Sequence, residues 1–244
     1  MIAGVSKAVT LYLAPVLSLT ALLLALFAFL APVLLLEDRV ALLSVSPSTV
    51  LTAPGKPSTS VDGPTVHMGA LGKSSEHVGS CSRSTNNDPL NCTIPTLSPT
   101  YDVSVLPNGA SNLLQAPAAT TPAFIAVSLA FSALFVIIFT MISFRSKLGA
   151  KLGASLEKPF INRAVAWIGL LGFMIGLTAF LILRMWFGKA VDDFNSSVQQ
   201  LGEQAPQIAA SIGNGFTMVW VAYAFLAVPL VCSLAKLHVT AAGK

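Results

Sequence analysis

The chain has 244 residues, of which 54% are apolar and only 10% charged, with 14 Lys and Arg against 10 Asp and Glu. A soluble domain carries about 25% charged residues, so one large water-soluble core is excluded. The formal charge of +4 is too small and too dispersed for a nucleic-acid-binding arm, and no nucleic-acid partner is expected.

The apolar residues gather in four runs separated by polar stretches. A helix needs roughly 20 apolar residues to cross a bilayer, and each run is long enough. Residues 1–7 form a short start with Lys7, and the first run covers 8–36. Ala28 and Ala31 resemble a signal-peptide cleavage site. The run, however, far exceeds an h-region of about 7–15 residues, which favours an uncleaved span. Ala14, Ser18, Ala21, Ala25 and Ala28 place small residues on one side at helical spacing, as close helix packing requires.

Residues 37–122 are rich in Ser, Thr, Pro and Gly. Val40 to Val50 has strand character. In Ser98 to Leu106, Tyr101, Val103 and Val105 alternate with Asp102 and Ser104, the period-two pattern of a half-buried strand. Cys81 and Cys92 lie between these segments with ten residues separating them. An oxidising compartment favours a disulfide there. Two free thiols, or a metal site with His67 or His77, are the alternatives, though the spacing is not a zinc pattern. The expected picture is a small sheet stapled by Cys81 and Cys92.

The second run covers 123–144, with Ser128 and Ser132 four residues apart. Residues 145–163 carry Arg145, Lys147, Lys151, Lys158 and Arg163 against the single acid Glu157. Short Lys/Arg-rich loops stay cytoplasmic, so these residues fix the topology and put 37–122 outside. The third run, 164–187, contains Gly169, Gly172 and Gly176. Gly172 and Gly176 make a GxxxG step that lets another backbone approach. Trp167 and Trp186 sit at its ends as interface-anchoring aromatics do. Arg184, near the outer end, reads as a side chain snorkelling to the headgroups rather than as part of a charged pathway.

Residues 188–214 form a second outer loop. Phe194, Val198 and Leu201 continue the helix as an amphipathic segment, Pro206 interrupts it, and Ile208 and Ile212 are expected to begin a further helical turn. The fourth run covers 215–235, with Trp220 and Tyr223 near its outer end and Pro229 as a kink site. A short tail, 236–244, follows. Both termini are then cytoplasmic. Asn91-Cys92-Thr93 and Asn195-Ser196-Ser197 match the N-glycosylation pattern, and Asn195 is the favoured position of the two. Cys232, near the inner end of the fourth run, reads as a buried hydrophobe rather than a palmitoylation site.

His67, His77 and His238 are scattered, and the sequence has no GxSxG, HExxH or phosphate-binding glycine loop. No enzyme activity, cofactor or metal is expected. The spans carry Ser and Thr as their polar groups, which ranks a transporter or channel last.

Four spans, a basic inner loop, and a long outer loop with Gly79-Ser80-Cys81, Cys92 and Tyr101 together resemble the claudin-like superfamily. Animal claudins carry Gly-Leu-Trp before the first cysteine. Here Gly69-Ala70-Leu71-Gly72 stands in that region, so the likeness points to the fungal Sur/PalI family of four-span plasma-membrane proteins. The resemblance implies an all-α four-helix transmembrane bundle under a small extracellular β-sheet. It also implies roles in organising membrane domains of the eisosome type, in cell-wall assembly, or in assisting an ambient-pH sensor. Its partners would be membrane lipids, further copies of the chain or other membrane proteins. The expected function is thus an organiser acting by lateral self-association, with an accessory subunit of a membrane complex as the alternative.

Overall fold

The structure is a computed structural model that describes residues 12–32, 40–48, 65–71, 80–85, 91–92, 114, 118, 120–147, 149, 156, 158–201 and 206–242. Helices dominate: α1 (Ala14–Leu30), α2 (Thr120–Ser143), α3 (Pro159–Gln200) and α4 (Gly215–Ala242). Five short strands accompany them: β1 (Leu43–Pro47), β2 (Thr65–Met68), β3 (Ser80–Arg83), β4 (Asn91–Cys92) and β5 (Ile208–Ile212).

Three of the four helix starts follow from proline chemistry. Pro15, Pro122 and Pro159 all stand in a first turn, where the missing N–H is no loss and the fixed φ is already helical. Pro159 therefore opens α3 instead of breaking a helix, and Arg163 lies inside α3 rather than in a loop. At the other side of the basic segment, Arg145–Lys147 form one 3-10 turn. Gly149 then takes φ +85°, a left-handed conformation that glycine adopts freely. Lys151 and Glu157 lie outside the described residues.

Three helices are long and apolar enough to cross a membrane: Thr120–Ser143, Pro159–Gln200 and the Gly215–Ala235 part of α4. The first expected span is shorter than the 8–36 run. Helix α1 has 17 residues, about 25 Å at 1.5 Å per residue, and the chain turns at Ala31 and Pro32, across a cis peptide bond. Residues 8–11 and 33–36 lie outside the described residues. Helix α3 does continue past its apolar run, as 42 unbroken residues. Phe194 and Val198 are buried on it, but Leu201 is exposed beyond its end.

A second departure concerns Ile208 and Ile212, which lie in a strand and not a helical turn. Positions four apart share a face in both geometries, so local spacing does not separate them. The free edge of β1 decides the matter, pairing with β5 from Leu43↔Ile212 to Pro47↔Ile208. The strand expected over 98–106 lies outside the described residues.

The chain forms two compact units. One contains residues 1–26, 124–178 and 218–244, the other 27–123 and 179–217. In the first, the helical unit, Ala14, Ala21, Phe135, Val136, Phe139, Val165 and Leu226 form the core, with the Phe135 and Phe139 rings stacked 5.4 Å apart. Large apolar residues are exposed along its helices: Val16, Leu19 and Leu23 on α1, Val127, Leu134 and Ile137 on α2, Leu171 and Met174 on α3. An apolar interior with a bulky apolar exterior departs from a water-soluble bundle and suits a lipid surround. Tyr12 meets Phe144 edge-on at 6.2 Å at one end of this unit.

In the second, the sheet unit, the strands follow the soluble rule, while its part of α3 exposes Ile182 and Met185. Its antiparallel sheet has the order β4-β3-β2-β1-β5. Leu43 and Val45 are fully buried, and so are their cross-strand partners' side chains Met68 and Val66, while Ser44 and His67 alternate with them on the other face. Helix α3 adds a buried stripe, Phe180, Leu183, Phe187, Val191, Phe194 and Val198. Gly69 allows the strand end to approach the Ala31–Pro32 turn, because a Cβ there would run into the Ala31 carbonyl oxygen.

Gly69→Ala is expected to destabilise by about 1–3 kcal/mol, the usual cost of overpacking. Gly188→Ala is the control. There the nearest atom is the flexible Arg184 Nη1 at 3.2 Å, and higher helix propensity offsets its displacement. Thermal denaturation in detergent reads both, and equal midpoints for Gly69→Ala and the parent would contradict the close approach.

Candidate functional site

Two constellations gather the residues singled out from sequence, one in each unit. In the helical unit, α2 and α3 run antiparallel and touch through their smallest residues. A Cβ built on Gly169 would lie 2.6 Å from the Phe135 ring, one on Gly172 would lie 2.9 Å from Phe131 Cβ, and one on Gly176 would collide with Ser128 and Tyr223. Each step along α2 is thus matched by a step back along α3. Gly169, Gly172, Gly176, Ser128 and Ser132 are all buried, and all five belong to this seam or its border.

Polar bonds close the seam. Ser128 Oγ donates to the Gly172 carbonyl at 2.7 Å, and Tyr223 on α4 is a hydrogen-bond partner of the same hydroxyl. Ser128 has one proton, already directed at Gly172, so Tyr223 Oη donates to Ser128 Oγ. The chain Tyr223 → Ser128 → Gly172 ties α4, α2 and α3 together. Gly176 supplies the space, since any side chain there would displace both hydroxyls. The Phe173 ring meets Tyr223 edge-on at 5.4 Å. The glycines and serines are legible in the sequence, where Tyr223 reads only as an aromatic near the outer end of a span. A single tyrosine within an apolar run carries no local sign of burial.

The small residues of α1 are also used within the chain: Ala14, Ser18, Ala21, Ala25 and Ala28 are all buried. Ser18 satisfies its hydroxyl locally, donating to the Pro15 carbonyl at 2.8 Å. A shallow crevice beside the seam is lined by Ala21, Ala25, Ser132, Ala222, Tyr223 and Leu226, among others.

In the sheet unit, the register sets one row across all five strands: Ser211, Ser44, His67, Cys81 and Cys92. The Ser44 and Ser211 hydroxyls are 3.0 Å apart on that row. Cys81 and Cys92 are directly opposite in the ladder. Facing residues of antiparallel strands have Cα atoms about 4.5–5.5 Å apart, within the span a cystine bridges. Asn91 stands beside them in β4, opposite Ser82.

Asn195 projects from α3 onto β5. Its Nδ2 donates to the Ala210 carbonyl and its Oδ1 accepts from the Ala210 N–H, both at 2.9 Å. Both groups of a strand residue point to one side, so Asn195 occupies the margin of β5 away from β1. This changes the reading of Asn195 as the favoured glycosylation position. A glycosylated amide is a trans secondary amide, with the sugar replacing the hydrogen on the oxygen's side, the one Ala210 accepts. The sugar and the clamp exclude each other.

The turn after β5 is built on Gly213, Asn214 and Gly215. The Gly213 and Gly215 N–H groups donate to the Leu42 and Ala41 carbonyls at 2.9 Å, and a Cβ on Gly213 would meet Ala41 O. Arg184 lies with its guanidinium 5.6 Å from the Phe216 ring centroid, a cation–π contact, and Phe216 meets Phe187 edge-on at 6.3 Å. Arg184 is half-buried here, a packing role in place of free snorkelling. Lys189 Nζ bonds both oxygens of Asp193 at 2.9 and 2.8 Å. That hydrogen bond and the Asp193 charge hold the ammonium above its usual range, though exposed pairs add little stability.

Among the described residues, no group of three or more His, Cys, Asp or Glu side chains is placed to hold a metal ion. The fold and these two constellations define a helical membrane protein carrying a small antiparallel sheet. No family model, curated protein or solved structure matches the chain.

Ser128→Ala is expected to cost more than Tyr223→Phe. The first orphans the Tyr223 hydroxyl, at about 1–3 kcal/mol, while the second removes one donor, at about 0.5–1.5 kcal/mol. The double variant should cost less than the two singles together, as a shared network demands. Additive losses in detergent unfolding would separate the two hydroxyls. Asn195→Ala is expected to lower the thermal midpoint, by the roughly 1–3 kcal/mol of unsatisfied strand groups. Ser197→Ala, which removes the acceptor triplet and keeps the clamp, should change neither midpoint nor gel mobility. A glycosidase-sensitive mobility shift that Ser197→Ala abolishes would contradict the clamp.

Proposed function

We propose that the chain is a non-enzymatic integral protein of the plasma membrane, with α1 as the first of four spans and both termini cytoplasmic. It organises neighbouring membrane or surface components through its sheet, stapled by a Cys81–Cys92 disulfide. The single observation that carries this reading is the β3–β4 register, which sets the two cysteines opposite each other in a segment the basic residues 145–163 assign to the outer side. A bridge there would restrain the unfolded chain and stabilise by roughly 2–4 kcal/mol. The bulky apolar exterior of the helical unit supports lipid as its surround.

A second reading, an accessory subunit of a sensor, channel or synthase complex, is favoured by one specific observation. The small-residue faces of α1, α2 and α3 are buried within the single chain, so they are not free to drive lateral self-assembly. Contact with other proteins then falls to the sheet unit. The resemblance to the Sur/PalI family fits either reading.

Thiol labelling under denaturing conditions should modify one cysteine, Cys232, before reduction and all three after it. Three labels before reduction would remove the staple. Crosslinking in native membranes followed by native mass analysis separates the roles. A ladder of the chain's own mass supports the organiser, and one unrelated protein in fixed ratio supports the accessory subunit. A chain that stays alone at native density would overturn both.

A further inference from the structure

The α2–α3 seam has a consequence at one end of the helical unit. Following its register from the Phe135–Gly169 contact, equal steps lead to Ser143 on α2 and Ile161 on α3. The 3-10 turn with Arg145 and Lys147 and the start of α3, with Lys158 just before it and Arg163 in its second turn, therefore lie at the same end of the unit. All four cations are exposed.

Helix α3 adds a second and independent feature there. Phe160, Arg163 and Trp167 follow one another at i, i+3 and i+7 and so occupy one face. Phe160 is 78% exposed and Trp167 60% exposed. An exposed aromatic on either side of an exposed guanidinium is poorly suited to water and well suited to the headgroup layer, where aromatic rings settle and long cationic side chains reach for phosphate. From Trp167 to Trp186 the helical rise is roughly 28 Å, close to the hydrocarbon thickness of about 30 Å. Arg163 then falls one turn beyond the hydrocarbon, at phosphate depth.

We infer that this end is a docking band for acidic phospholipid headgroups, with Arg145, Lys147, Lys158 and Arg163 binding phosphate and Phe160 and Trp167 holding Arg163 at its depth. Zwitterionic lipids carry the same phosphate but cancel it with a cationic headgroup, so a cluster of four cations selects acidic lipids. A juxtamembrane cation near an anionic surface contributes about 1 kcal/mol, which corresponds to about five-fold in local preference. The inference rests on the membrane reading but not on which side of the membrane this end faces.

The test uses the full chain with Trp186→Phe and Trp220→Phe, leaving Trp167 as the sole reporter, in vesicles containing acyl-brominated phosphatidylserine or phosphatidylcholine. Bromine quenches tryptophan at contact. Brominated phosphatidylserine should quench Trp167 with an association constant at least about five-fold above phosphatidylcholine. That preference should shrink as salt rises and approach one when the four cations are replaced by Gln. Equal quenching in the parent overturns the docking band and leaves the membrane reading intact, whereas no quenching by either lipid overturns the membrane reading itself. The unmodified chain gives a parallel readout that survives any folding defect of the variants. In native mass spectra from mixed micelles it should retain phosphatidylserine over phosphatidylcholine, and retention in proportion to supply counts against the proposal.

Discussion

Everything in the helical unit depends on how closely α2 and α3 approach. Inside a bilayer a leucine gains nothing by leaving a lipid tail for a neighbouring helix, so helix pairing rests on dispersion contacts and hydrogen bonds. Bare Cα positions at Gly169, Gly172 and Gly176 give the first and Ser128 the second. The seam also fixes the end of α2 against the start of α3, which assembles cations at the same end of the unit. Position and charge at that end thus follow from a contact several turns away.

The central strands of the sheet unit obey the opposite rule, with Leu43, Val45, Val66 and Met68 in and the Ser44 and Ser211 hydroxyls out. Its strands are very short, and a sheet of that size is marginal alone. The buried stripe of α3 supplies the apolar mass that the strands lack. Backbone pairing at Gly213 and Gly215, and the Asn195 clamp, use up polar groups that would otherwise stay unpaired. Residues of α3 contribute to each unit, Gly169, Gly172 and Gly176 to the first and the buried Phe180, Phe187 and Phe194 to the second.

The membrane runs were legible because length and absence of charge are local properties. So was the small-residue spacing on α2 and α3, and so was β1, whose alternation of Leu43, Ser44, Val45 and Ser46 is periodic in itself. Three features were not legible. The end of α1 at Ala31 and Pro32 was masked by apolar residues that continue to Leu36. Strand β5 has apolar residues four apart, which read equally as helix, and its partner lies more than 160 residues away in sequence. Asn195 presented an acceptor triplet, a pattern of three letters, while its actual partner, Ala210, has no side-chain chemistry to announce itself. Likewise, spacing could not say whether a GxxxG step faces a second molecule or the chain's own α2.

The Asn195 amide also alters the geometry of aggregation. A bare strand margin templates the next strand, and a sheet bare on both flanks can propagate without limit. Here the β5 flank is plugged at Ala210 by a side chain that mimics a neighbour's backbone. A strand arriving at β5 finds the Ala210 N–H and carbonyl already taken and has to break both Asn195 bonds before it can pair there.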